Sequence, residues 1–122
     1  MAKKKRIALI TGATRGIGKE ISLALANEDI HVILLGRTIG ALEEISDKIH
    51  LNEGNATCVQ FDLSDLNKIY DLSQEIKERW GRLDILISNA AFLHNLTPLS
   101  HLSDKDWQIS INTNLSSNWL LI

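Results

Sequence analysis

Thr11-Gly12-Ala13-Thr14-Arg15-Gly16-Ile17-Gly18 is the stretch whose reading decides the fold, taken together with Arg6-Ile7-Ala8-Leu9-Ile10 before it. A short apolar strand runs into three glycines and then into a helix-like segment starting near Lys19. Glycine lets the backbone take φ > 0 and pass close to a ligand. The first N–H groups of a following helix have no intrahelical partner, and the positive end of the helix dipole lies behind them. Such a loop cradles a phosphate, and a pyrophosphate suits it well. The glycines depart from the strict G-x-G-x-x-G fingerprint. They also depart from the nucleotide-triphosphatase P-loop: the gap between Gly12 and Gly18 is too long, and Lys19 is followed by Glu20 instead of Ser or Thr.

Outward from this loop, apolar runs and helical patterns alternate. Ile17, Ile21 and Leu25, with Leu23 and Ala24, predict an apolar stripe on a helix ending near Asn27. His31-Val32-Ile33-Leu34-Leu35 is the continuous apolar run of a strand buried on both faces of a parallel sheet. A second helix is predicted from about Thr38, a candidate cap, through Leu42, Ile45 and Ile49 to the break at Gly54-Asn55. Residues 56–61 read as a third strand. Ser64 is the predicted cap of a third helix bearing Leu66, Ile69, Leu72, Ile76 and Trp80, stopped by Gly81. Residues 83–88 read as a fourth strand. After a polar loop with Pro98, Ser103 and Asp106 resemble a capping box for a last helix with Trp107, Ile111, Leu115 and Trp119 on one stripe. Strands alternating with helices imply right-handed βαβ units. The expected fold is α/β, a partial Rossmann-type doubly wound parallel sheet of about four strands, with residues 1–122 forming one dinucleotide-binding domain.

Composition narrows the function. At 122 residues the chain holds one small domain, and its 44% hydrophobic and 23% charged residues are ordinary for a globular protein. The net charge of −2 gives no general attraction to nucleic acid, and Lys3-Lys4-Lys5-Arg6 reads as a solvated lead-in to the first strand. No stretch is apolar enough to span a membrane, and no signal-peptide pattern follows the lysines. Cys58, the only cysteine, is expected to be a buried inert thiol. A cytoplasmic location is expected, and no metal.

The candidate site gathers at the ends of the expected strands. The adenosine ribose of a dinucleotide is read near the end of the second strand, by an acid for NAD or a base for NADP. Gly36-Arg37 stands there, without a carboxylate. Arg37, with Arg15 from the glycine loop, suits a 2′-phosphate, so NADP(H) is favoured over NAD(H). Asp62-Leu63 follows the third strand and Ser88-Asn89-Ala90-Ala91 the fourth. Read alone, Asp62 would cap the next helix with Ser64, and Asn89 would be a turn residue.

T-G-x-x-x-G-I-G at 11–18, Asp62, Leu83-Asp84-Ile85-Leu86 before Ser88-Asn89-Ala90-Ala91, and Asn114-Leu115 together resemble the N-terminal half of the short-chain dehydrogenase/reductase family. The resemblance implies NAD(P)-dependent hydride transfer between a nicotinamide and a carbonyl or alcohol. It assigns cofactor binding to Gly12, Thr14, Arg15, Gly16, Ile17, Gly18, Arg37, Asp62, Leu63, Asn89, Ala90 and Ala91. Asp62 would meet the adenine amino group, and Asn114, preferred to Asn112, would be a member of the catalytic tetrad. Ser88 and Ala91 depart from the family's N-N-A-G, and Ala91 adds a Cβ that is tolerable only if φ is negative.

The family's serine and Tyr-x-x-x-Lys would lie beyond Ile122. The one tyrosine, Tyr70, has Gln74 four residues on and is no substitute. A truncated or split gene product is therefore expected, inactive alone, with the fourth strand an open edge and part of the last helix exposed. Three readings follow: an oxidoreductase completed by a longer frame or a second chain, a non-catalytic NADPH-binding module, or a non-functional fragment. A C-terminal half on another chain and a second copy are the partners considered besides the dinucleotide.

Overall fold

The computed structural model describes residues 5–93 and 96–122. Lys3 and Lys4 of the basic run lie outside the described residues. Four strands, β1 (Ile7–Thr11), β2 (His31–Gly36), β3 (Ala56–Gln60) and β4 (Ile85–Ile87), form one sheet in the order β3-β2-β1-β4. Every pairing is parallel. The helices are α1 (Gly16–Asn27), α2 (Ile39–Leu51), α3 (Ile69–Trp80), α4 (Asp104–Ile111) and α5 (Ser117–Leu121).

The alternation of side chains along β1 and β2 separates two cores. Ala8, Ile10, Val32 and Leu34 face Ala26 of α1 and Leu42, Ile45 and Ile49 of α2. Ile7, Leu9, Ile33 and Leu35 face Ile69, Leu72 and Ile76 of α3, with Leu121 packed beside them. Helices thus cover both faces, and the expected doubly wound sheet is present.

The stripes of α2 and α3 are those the sequence spacing predicts. On α1 the buried residues are instead Gly18, Ser22 and Ala26, while Ile17 is 71% exposed. The helix lies so close to the sheet that only small side chains fit beneath it, and Ser22 Oγ turns back to donate to Gly18 O at 2.7 Å. Helix α1 also starts earlier than expected, at Gly16.

Strand β4 is shorter than residues 83–88 because side chains take over part of the pairing at both ends, although Asp84 N still donates to Ile7 O at 2.9 Å. At one end Asp84 Oδ2 accepts from Ile7 N at 2.8 Å, and Arg82 clamps the same carboxylate through Nε and Nη2. At the other, Thr11 Oγ1 takes over from the strand backbone. Ser64 caps no helix: its N and Oγ both donate to Asp62 Oδ1, at 2.9 and 2.8 Å, and a 3-10 turn at Leu66–Lys68 leads into α3. Thr38 occupies the N-cap position of α2 without a side-chain cap bond. Gly81 ends α3 in the left-handed conformation, φ 71°, as expected of a C-terminal glycine.

Ser103 caps α4, accepting from Asp106 N at 3.1 Å. The single last helix of the sequence reading is interrupted by a π-turn, Asn112–Ser116, between α4 and α5. Polar side chains satisfy carbonyls there: Ser117 Oγ donates to Thr113 O at 2.6 Å and Asn118 Nδ2 to Asn114 O at 3.0 Å. The inward face of α5 is Ser117 and Leu121, and Trp107, Leu115 and Trp119 of the expected stripe stay exposed.

At the opposite end of the sheet, His31 Nε2 bonds Thr57 Oγ1 at 2.9 Å, and its ring lies 5.4 Å from that of Trp80, which also carries the Arg79 guanidinium. Burial, then the charges of Lys5 and Arg79 and the nearby His50, push the His31 pKa below its ordinary value. The folded state therefore disfavours the proton that the unfolded chain accepts near pH 6.5. Its stabilising effect is full above that pH and is lost as pH falls toward the lowered folded value. Urea midpoints at pH 7.5 and 5.5 are expected to fall more on acidification for the wild type than for His31→Gln.

Candidate functional site

The C-terminal ends of the strands open into a cleft of about 620 Å³. Its wall brings together Gly12, Thr14 and Arg15 after β1, Arg37 after β2, Asp62 and Leu63 after β3, and Asn89, Ala90 and Ala91 after β4. These are nine of the residues singled out from the sequence. Gly16, Ile17 and Gly18 stand beside this wall in the first turn of α1, with Ile17 turned outward. A larger apolar character marks another cavity of about 330 Å³, between α3 and α5, remote from these loops.

The glycines divide by role. Gly12 has φ 63°, and a Cβ there would come within 2.9 Å of Ala90 Cα. A Cβ on Gly18 would run into the carbonyl of Gly12 and stand 2.5 Å from Asn89 Nδ2. These two glycines let the β1 and β4 loops and α1 close on one another. Gly16 has φ 58° and open space where its Cβ would stand, as a loop facing a ligand requires. The N-cap of α1, Arg15, is extended and makes no side-chain cap bond, and no acid occupies the first turn. The first N–H groups and the dipole of α1 are therefore left uncompensated by side chains at the edge of the cleft, where the N-cap Arg15 lines the wall.

Thr11 is fully buried, and the glycine motif by itself does not mark it as a site residue. Its Oγ1 accepts from Asn89 N and Ala90 N, both at 3.0 Å, and donates to Ile87 O at 3.4 Å. Asn89 Nδ2 donates to Gly12 O at 3.1 Å. Asn89 is thus a cross-link between the two loops and more than a turn residue. A hydroxyl at the end of a strand that feeds a glycine loop was the available signal. Ala91 carries no positive φ, so its extra Cβ is accommodated.

Asn114 sits in the π-turn and holds the loop after β4 at both ends of its amide. Its Oδ1 accepts from Phe92 N at 2.7 Å and its Nδ2 donates to Phe92 O at 2.9 Å. Asn112 points elsewhere, donating to Ser64 O at 3.3 Å. Of the two asparagines, Asn114 is the one at the cleft loops, beside Phe92 and Thr113 of the wall.

A parallel doubly wound sheet with a glycine loop and an uncapped helix N-terminus at its strand ends defines a Rossmann-type nucleotide-binding domain. The family model for short chain dehydrogenases matches residues 6–122, and the chain belongs to the short-chain dehydrogenase/reductase family. A sepiapterin reductase of Chlorobaculum tepidum is 34% identical over 96% of this chain and 50% of its own length. A 3-oxoacyl-[acyl-carrier-protein] reductase of Synechocystis is 32% identical over 94% and 47%. Among solved structures, a metagenomic short-chain oxidoreductase in complex with NADP superposes with a TM-score of 0.91 at 30% identity, over 95% of this chain and 52% of that one. The 3-oxoacyl reductase of Agrobacterium tumefaciens with NADP bound gives 0.84 at 35% identity, over 95% and 44%. The chain spans about half the length of the relatives it matches. Among the described residues, no helix is long and apolar enough to cross a membrane.

Proposed function

We propose that the chain binds NADP(H) in the cleft and is the cofactor-binding part of a cytosolic short-chain oxidoreductase acting between a carbonyl and an alcohol. Residues 1–122 are, on this reading, the N-terminal part of one catalytic domain. The observation that carries it is the joining of the uncapped N-terminus of α1 with Arg15 and Arg37 in one cleft, with no carboxylate at the end of β2. The residues fit the group. Gly12 and Gly18 close the loop, Gly16 leaves room beside it, and the first amides of α1 would hold the pyrophosphate.

Arg15 and Arg37 would pair with a 2′-phosphate, and Asp62 and Leu63 would border the adenine. Asn89, Ala90 and Ala91 wall the cleft near the π-turn, where Asn114 holds the loop for the nicotinamide end. When bound, the cofactor supplies the hydride. Proton transfer at the substrate oxygen needs a group of suitable pKa in reach. Tyr70, the one tyrosine of the chain, is 70% exposed on α3 and has no part in the cleft. That observation favours binding without turnover for this chain by itself, with turnover requiring a C-terminal half on the same or another chain.

Arg37→Met is expected to weaken NADPH binding about tenfold or more while leaving NADH within about twofold, as loss of one charge-assisted phosphate contact implies. Calorimetric titration of both cofactors checks it. Equal losses for the two would remove Arg37 from 2′-phosphate recognition.

A further inference from the structure

We infer that Gln60, at the end of β3, is a positioning residue for 2′-phosphate recognition, acting through Arg37. The inference rests on the NADP(H) reading above. Arg37 lies on the short connection between β2, which ends at Gly36, and α2, which begins at Ile39. Thr38 makes no side-chain cap bond that would tie this connection to α2. Thr38 O accepts from Leu42 N of α2 at 3.2 Å, and the ties at Gly36 and Arg37 come from β3. Gly36 pairs with Gln60 in the sheet register, Phe61 N donates to Gly36 O at 2.8 Å, and Gln60 Nε2 donates to Arg37 O at 3.1 Å.

The first of these bonds continues the ladder that any strand pair makes. The second is made by a side chain, and it fixes the peptide carrying Arg37 itself. On the other side Gly36 lies against Thr14 of the glycine loop, whose Cγ2 would stand 3.2 Å from a Cβ placed there. The Arg37 backbone is thus held at its carbonyl while its side chain stays exposed at the cleft. Prior fixing of the backbone lowers the entropy lost when a guanidinium engages a phosphate. Without the amide of Gln60 the same side chain would start from a wider range of positions.

The test is calorimetric titration of the full chain with 2′,5′-ADP and with 5′-AMP, for wild type, Gln60→Met, Arg37→Met and the double variant. Met keeps the length of the side chain and removes the donor. Gln60→Met is expected to weaken 2′,5′-ADP about three- to tenfold, the range of the cost of ordering one long side chain on binding. Binding of 5′-AMP should stay at the wild-type value, and the melting temperature should fall by no more than about 5 °C, since the bond lies at an exposed position. In the Arg37→Met background the same replacement should change nothing further, because the two residues act as one unit. Unchanged 2′,5′-ADP binding in Gln60→Met, an equal loss for both ligands, or a full additional loss in the double variant would overturn the role of Gln60. If the wild type binds 2′,5′-ADP no tighter than 5′-AMP, the cofactor reading itself fails and the role of Gln60 falls with it.

Discussion

Gly18→Ala is expected to destabilise the chain by about 3 kcal/mol or more, at the upper end of what an overpacked site costs. The added Cβ meets the carbonyl of Gly12 and the Asn89 amide, 2.5 Å from its Nδ2. Neither is the free end of a flexible side chain. Gly12 is locked at φ 63° against Ala90, and Asn89 is bonded to Gly12 O. Relief requires α1 to lift from the sheet, where its buried face of Gly18, Ser22 and Ala26 leaves no larger side chain to fill the gap. A loss of this size corresponds to a fall in melting temperature of about 10–20 °C for a domain near this length. Gly16→Ala is the control. It pays only the left-handed strain of a non-glycine residue, about 1–2 kcal/mol, because nothing stands where its Cβ would go. Thermal melts followed by circular dichroism should rank wild type above Gly16→Ala above Gly18→Ala. Equal melting temperatures for wild type and Gly18→Ala would mean that the loop does not close on α1 as described.

Thr11→Val should cost about 2–4 kcal/mol, although it keeps the shape of the side chain. The hydroxyl serves two backbone donors, Asn89 N and Ala90 N, at the point where β4 ends. Removing it strands both amides in a partly buried place, and each unsatisfied group costs about 1–3 kcal/mol. Thr11→Ser keeps the oxygen and should lose less than half as much. Urea denaturation measures the difference. Because the freed amides belong to the cleft wall, Thr11→Val should also weaken cofactor binding in proportion to the loosened loop, whereas Thr11→Ser should not. A Val variant as stable as the Ser variant would show that the hydroxyl is not what fastens the two loops.

How much of this was legible in the sequence differs from element to element. Leu42, Ile45 and Ile49 of α2 and Ile69, Leu72 and Ile76 of α3 announce their faces, because these helices pack on the sheet through large side chains. On α1 the same rule fails. Contact there is so close that Gly18, Ser22 and Ala26 are inside and Ile17 is outside. A hydrophobic stripe reports the face of a helix only where there is room for large residues. The sequence of β4 suggests a longer strand, since Leu83 and Ser88 suit one. The structure ends it early with two side-chain devices, Asp84 on Ile7 N and Thr11 on the loop after Ile87, which depend on residues distant in the chain.

The gathering of the site loops at one cleft was more legible than the packing around it. The glycine loop, Arg37, Asp62 and Asn89 to Ala91 reach one cleft because each follows a parallel strand, and the fold delivers all strand ends to one edge. Local rules did less well on Asp62 and Ser64. Their hydrogen bonds form a tight turn between themselves, and α3 begins only at Ile69 after an intervening 3-10 turn. The π-turn at Asn112–Ser116 has no signature in apolar spacing. It is built from asparagine and serine side chains that bond backbone carbonyls, and it brings Asn114 to Phe92.

The central claim is that the described cleft is an NADP(H) site, and titration of the chain with NADPH and with NADH, followed calorimetrically, tests it most directly. The account predicts saturable one-to-one binding of NADPH, at least about tenfold tighter than NADH, in keeping with a charge-assisted contact to the 2′-phosphate. Absence of binding by a folded chain, or NADH bound as tightly as NADPH, would contradict it.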